Sequence, residues 1–271
     1  MYFNTSGIEV AAIVPIGAAF VVSFLTSMVG VSGAFLLVPF QMSVLGITSP
    51  SVSATNLVFN VISTPGGIWR FARERRLDFR LGFLISGGTL PGLLVGWWIR
   101  NHWLMDVHRF RIFVGGVLAL LAARMMLAER TAAPESRVQH PPQRDVWVTM
   151  AIALLVGVVG GTYGIGGGAL MAPALVAFLG RRIHAVAGAT LLATLVTSVA
   201  GVLMYSILSG PDGTASSPDW PLGILFGVGG LAGTYMGAIA QKSFPEELLR
   251  VGLALLVAAL SIGYFLQALL M

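Results

Sequence analysis

The groups in this 271-residue chain with the spacing to bind a ligand are neutral. Gly30-Val31-Ser32-Gly33-Ala34 and Gly164-Ile165-Gly166-Gly167-Gly168 each interrupt an apolar stretch, and Pro39 and Pro173 follow at the same distance. A helix that begins inside a membrane at Gly33–Ala34, or at Gly166–Gly168, turns backbone N–H groups and the positive end of its dipole toward the interior. Ser32 is placed to cap the first of these helices. Glycine lets the backbone approach a ligand closely. Two such starts facing one another make an anion cradle with no formal charge. Close helix packing through small residues is the competing use of the same glycines.

A polar stripe follows each break. Asn56, Asn60, Ser63 and Thr64 recur at i, i+4, i+7 and i+8. Thr190, Thr194, Thr197 and Ser198 repeat that spacing, at the same offset that separates Gly30 from Gly164. Each set falls on one helical face. Polar groups within a membrane helix turn to the bundle interior or a wet path, and amides and hydroxyls donate to anionic oxygens. Ordinary interhelical hydrogen bonding is the alternative. The candidate substrate-binding set is therefore Ser32, Gly33, Ala34, Asn56 and Asn60 with Gly166, Gly167, Gly168, Thr190 and Thr194.

No carboxylate joins this set. All eleven acids fall at segment ends or in loops, and His102, His108, His140 and His184 are scattered without metal or triad spacing. The chain has no cysteine. Thiol chemistry, metal chemistry and a resident cofactor are thus not expected, nor is an enzyme. Without a coupling carboxylate, a potential-driven anion path is favoured: about 2.3 kcal/mol per charge per 100 mV drives an anion out of a negative cytoplasm. Sodium held by backbone carbonyls at the breaks would be another route.

The elements that must position these groups are membrane helices. Hydrophobic residues make up 56% of the chain and charged residues 10%, against about 25% charged in soluble domains. Spanning needs about 20 apolar residues. Eight long segments qualify, at about 8–29, 50–69, 81–100, 109–128, 147–163, 184–208, 220–241 and 248–270, with two short ones, 34–46 and 168–180, after the breaks. The expected fold class is an all-α polytopic membrane protein with two five-segment repeats, at 1–128 and 147–271, joined by a polar linker at 129–146. An odd number of segments per repeat inverts the second half relative to the first, a recurrent transporter design. Leu90-Pro91-Gly92 and Gly96 match Leu231-Ala232-Gly233 and Gly237 at a larger offset than the breaks, the polar insert 210–218 making up the difference. These four glycines read as packing seams.

If all ten segments change sides, or equally if each broken pair is a re-entrant hairpin, four basic clusters share one side: 70–80, 124–144, 181–182 and the pair Lys242 and Arg250. The positive-inside rule makes that side cytoplasmic, with loops 70–80 and 129–146 inside and both termini outside. No Lys or Arg precedes Arg70, so neither a nucleic-acid-binding arm nor the basic start of a cleavable leader is expected. The six tryptophans fall at or near segment ends, as in aromatic belts.

Gly164–Pro173, its echo at Gly30–Pro39 and the two-half layout resemble the sulfite exporter TauE/SafE family of bacterial membrane proteins over nearly the whole chain. In the first copy Ser32 and Ala34 stand where the second has glycines. The resemblance implies export of a small sulfur oxyanion, sulfite or an organosulfonate, across the bacterial inner membrane, with the lipid bilayer and a small anion as partners and the two glycine motifs as site. The anion and the oligomeric state stay open. Uptake of a sulfur oxyanion, a membrane-embedded enzyme and an assembly protein are the alternatives, the last disfavoured by the symmetric stripe.

Overall fold

In lipid every backbone polar group must be satisfied within its own segment, so apolar runs of this length become helices. The computed structural model describes residues 1–3, 5–47, 51–103, 106–127, 143–207 and 217–269. Eight longer helices are present among them: α1 (Ile13–Ser27), α3 (Ser51–Arg73), α4 (Phe79–His102), α5 (Val107–Leu127), α6 (Gln143–Tyr163), α8 (Ile183–Ile207), α9 (Trp220–Ala240) and α10 (Glu246–Leu269). Two short ones follow the breaks, α2 (Ala34–Ser43) and α7 (Met171–Leu179). At 10 and 9 residues they reach about 15 Å, half the hydrocarbon thickness of about 30 Å. The fold is an all-α polytopic membrane protein.

Among the described residues, five helices are both long and apolar enough to cross a membrane: Phe79–Ile99, Asp145–Tyr163, Ile183–Ile207, Trp220–Ser243 and Glu246–Leu269. That is fewer than the eight long segments expected. The helix α1 is apolar but shorter, and α3 carries the stripe and two arginines within its 23 residues. Two other expectations change. The first segment starts at Ile13 rather than residue 8, because Ile8–Glu9 (β2) pairs antiparallel with Tyr2–Phe3 (β1). The second short helix starts at Met171; Gly166–Leu170 form hydrogen-bonded turns instead of its first helical turn. Three consecutive glycines gain little by entering a helix, and Gly166 takes a φ of +78°. Residues 129–142 of the linker and 210–216 of the insert lie outside the described residues.

Glycine seams bring the helices together. The α1–α9 and α4–α6 pairs pack extensively, as do α3 with α9 and α5 with α10. A β-carbon on Gly92 would lie 2.3 Å from the Leu154 carbonyl and one on Gly96 2.2 Å from that of Val158. On Gly233 it would lie 2.4 Å from the Phe20 carbonyl, and on Gly237 2.3 Å from that of Phe24. These glycines are therefore backbone-to-backbone packing positions, as their small-residue spacing predicts. Leu154 and Val158 follow Phe20 and Phe24 at the offset that separates the two breaks.

Ionic contacts gather the basic loops on one face. Glu74, after α3, pairs with Arg76 at 3.0 Å and with Lys242, beyond α9, at 3.3 Å. Arg181 lies 3.6 Å from Asp145 at the start of α6. Glu246, opening α10, accepts from the Ile183 N–H at the start of α8 and lies 3.4 Å from His184. The helix α3 thus ends on the face where α8 begins. Five tryptophans, Trp69, Trp98, Trp103, Trp147 and Trp220, are exposed at or near helix ends, where lipid headgroups would meet them.

Burial tends to raise the Glu74 carboxyl, but hydrogen bonds from Arg76 and Lys242 and the charge of Arg70 outweigh it and hold it below its ordinary value of 4.5. A depressed carboxylate stabilises the folded form above its unfolded pKa, and the contribution is lost as pH falls through the lower folded value. The melting temperature in detergent is expected to decline below about pH 4.5, and less steeply in Glu74→Gln. Parallel curves for the two proteins would count against this role.

Candidate functional site

The two breaks are held by left-handed glycines. Gly30 and Gly164 both have a φ of +73°, a conformation that side chains disfavour. Each is also pressed against the stripe helix of the other half. A β-carbon on Gly30 would lie 2.5 Å from the Ala187 α-carbon, and one on Gly164 2.2 Å from the Ser53 β-carbon. Ser53 and Ala187 are separated in sequence by the same interval as Gly30 and Gly164. The Thr190 hydroxyl fastens the first contact by donating to the Gly30 carbonyl at 2.7 Å. The Ser53 hydroxyl donates to the Tyr163 carbonyl beside the second, at 3.4 Å.

Between the breaks stands Asn60, near the middle of α3 and fully buried. Its Oδ1 accepts from the Ser32 hydroxyl. Its Nδ2 donates to the Ile165 carbonyl at 2.8 Å. One amide therefore bridges both interruptions, reaching 28 residues back and 105 forward. Ser32 also accepts the Ala34 N–H at 3.1 Å. It thus satisfies the start of α2 as expected, from the position before the N-cap Gly33.

The remaining stripe hydroxyls divide into two groups. Thr64 donates to the Asn60 carbonyl at 2.7 Å, Thr194 to that of Thr190 at 2.9 Å and Thr197 to that of Ala193 at 2.8 Å. Their protons are engaged within their own helices, as threonines in membrane helices often are. By contrast Ser63 Oγ, Ser198 Oγ and Asn56 Nδ2 are buried with no hydrogen-bond partner among the described residues. So is Ser23 Oγ on α1, next to Gly33. Gly166 places its missing side chain 2.7 Å from Ser198 Oγ and 3.5 Å from Asn60 Nδ2. Gly168 packs on the Thr190 carbonyl and Thr194, while Gly167 faces Thr89 of α4. All of the candidate set is buried. Sequence reasoning missed two members. Ser23 lies in an apolar helix with no repeated polar partner, Gly157 being its counterpart in the second half. Gln41 of α2 is fully buried and donates to Asn56 Oδ1 at 2.9 Å; an amide inside a short, mostly apolar segment was the available signal.

A helical membrane bundle with two interrupted helices meeting at a buried, uncharged polar centre has the anatomy of a small-solute transporter. The comparisons agree. The family model described as Sulfite exporter TauE/SafE matches residues 15–264, and the chain belongs to that family. Among its relatives is a probable membrane transporter protein of Xylella fastidiosa (strain 9a5c), 29% identical over 265 residues, covering 92% of this chain and 93% of the relative. Another is the probable membrane transporter protein YjnA of Bacillus subtilis (strain 168), 26% identical over 244 residues, covering 87% and 92%. No solved structure matches the chain.

Proposed function

We propose that the protein is a secondary transporter, not an enzyme, that exports a small sulfur-containing oxyanion, sulfite or an organosulfonate, across the bacterial inner membrane. The observation that carries this is the Asn60 bridge between the two breaks. The substrate sits where Ser32, Asn60 and the glycine turns converge, held by backbone N–H groups and neutral side chains. In the structure the Ser32 hydroxyl accepts the Ala34 N–H; an anionic oxygen would take over that donor. Ser23, Ser63, Ser198 and Asn56 Nδ2, buried with no partner among the described residues, supply further donors. The neutral threonines are then structural fasteners more than ligands.

The chain works as two inverted repeats, 1–128 and 147–271. The paired glycine contacts at a constant offset support this, as does α3 ending on the face where α8 begins. The basic face is cytoplasmic by the positive-inside rule, which places loops 70–80 and 129–146 inside.

The test is flux in proteoliposomes under an imposed potential. Sulfite and a simple sulfonate are expected to leave the compartment made negative, and reversing the potential should reverse the preference. If neither anion moves, or if flux ignores the sign of the potential, this reading falls. Accumulation against the potential with a sodium gradient would instead establish uptake.

A further inference from the structure

Gln41 and Asn56 form a buried amide pair, one on the short helix α2 and the other on α3, one helical turn before Asn60. Gln41 Nε2 donates to Asn56 Oδ1 at 2.9 Å. The reciprocal bond is not made: among the described residues Gln41 Oε1 and Asn56 Nδ2 each find no partner. The pair thus presents one acceptor and one donor, flanking a single hydrogen bond. This does not depend on how the two amides are oriented. Turning both over lets Asn56 donate to Gln41 and still leaves one donor and one acceptor unmatched.

A ligand that satisfies both must accept one hydrogen bond and donate another. A fully deprotonated oxyanion and a sulfonate group offer only acceptors, and their oxygens would face Gln41 Oε1 with repulsion. An oxyanion that keeps one O–H can meet both. The second half has no such device, since Leu175 is the counterpart of Gln41 there, and Thr190 that of Asn56. This paired amide donor and acceptor is therefore supplied by the first half.

We propose that Gln41, with Asn56, is a specificity-determining residue that selects small oxyanions carrying their own O–H over monoanions of equal charge that lack one. This rests on the transporter reading above and names the substrate class of the same site. Asn56 lies along the stripe from Asn60 toward the start of α3, so the selection acts on the side of the site away from the basic face.

The test compares proteoliposome flux of hydrogensulfite and methanesulfonate at mildly acidic pH under the same potential, since both carry one negative charge. The unmodified protein is expected to favour hydrogensulfite. Gln41→Leu, which installs the second-half residue, and the unbranched Gln41→Met should each lower that preference about tenfold, the scale for losing a buried polar match. Monodisperse elution in detergent, independent of flux, shows that the variants fold and insert. Equal preference in all three proteins, with both anions carried, would overturn the role of Gln41 and leave the transporter standing. Transport of neither anion by the unmodified protein would overturn the transporter reading itself.

Discussion

Asn60→Leu is expected to reduce oxyanion flux by about 100-fold or more while the protein still inserts and remains monodisperse in detergent. Leucine removes both hydrogen bonds that join the breaks, to Ser32 and to Ile165. It also leaves the Ser32 hydroxyl proton without its acceptor and the Ile165 carbonyl without its side-chain donor, at about 1–3 kcal/mol each. About 3 kcal/mol lost from the geometry of the binding state corresponds to the predicted factor. Asn60→Thr, the residue type of the second stripe, should fall between the two because it keeps one donor. Thr194→Leu should be milder than Asn60→Leu, since the Thr194 hydroxyl serves its own helix. Flux unchanged in both leucine variants would reduce the stripe to a packing seam.

The second large effect concerns the break itself. Gly164→Ala is expected to destabilise the protein by about 2–5 kcal/mol, combining the left-handed backbone with overpacking. Its φ is +73° and the new methyl would lie 2.2 Å from the Ser53 β-carbon and 2.5 Å from its α-carbon. Adding Ser53→Gly removes the first clash but not the second, so it should recover part of the loss. Gly46→Ala separates the two causes. Its φ is +70° with nothing within 4 Å among the described residues, so only the backbone term of about 1–2 kcal/mol applies. Thermal unfolding in detergent checks the order: parent above Gly46→Ala, and Gly46→Ala above Gly164→Ala. Equal melting temperatures for the two alanine variants would show that the Ser53 contact does not hold the break in place.

The conformational logic of the site follows from these contacts. Each break leans on the stripe helix of the opposite half, at Ala187 and at Ser53. Any movement of one half against the other must therefore shift a break relative to a stripe. Under the proposed inverted-repeat reading, rocking of one half against the other around a fixed site would do so. Thr64, Thr194 and Thr197 engage carbonyls of their own helices, whereas Ser63, Ser198 and Asn56 Nδ2 find no partner among the described residues.

Much of the scaffold was legible in the sequence because its causes are local. Apolar length sets the helices, glycine and proline punctuate them, and charge exclusion from lipid places the basic residues at the ends. The breaks at Gly30 and Gly164, the following stripes and the packing glycines at 92, 96, 233 and 237 all stand out by residue type and spacing. Element boundaries were less legible. The second short helix starts at Met171, and the first residues form a small hairpin, because turns compete with helix wherever glycines or a chain end lower the cost.

The sequence by itself determined that this is a membrane protein of helices, that two of them are interrupted, and that no carboxylate stands within the repeated motifs. Only the tertiary structure decided which polar atoms remain free to act. Thr194 and Ser198 look equivalent on a helical stripe, yet the first is satisfied by its own helix and the second is not. Asn60 became the bridge, and Gln41 part of a donor–acceptor pair, through partners 28, 105 and 15 residues away. Periodicity assigns a side chain to a face. Whether its proton is already engaged depends on groups that only folding brings within hydrogen-bond distance.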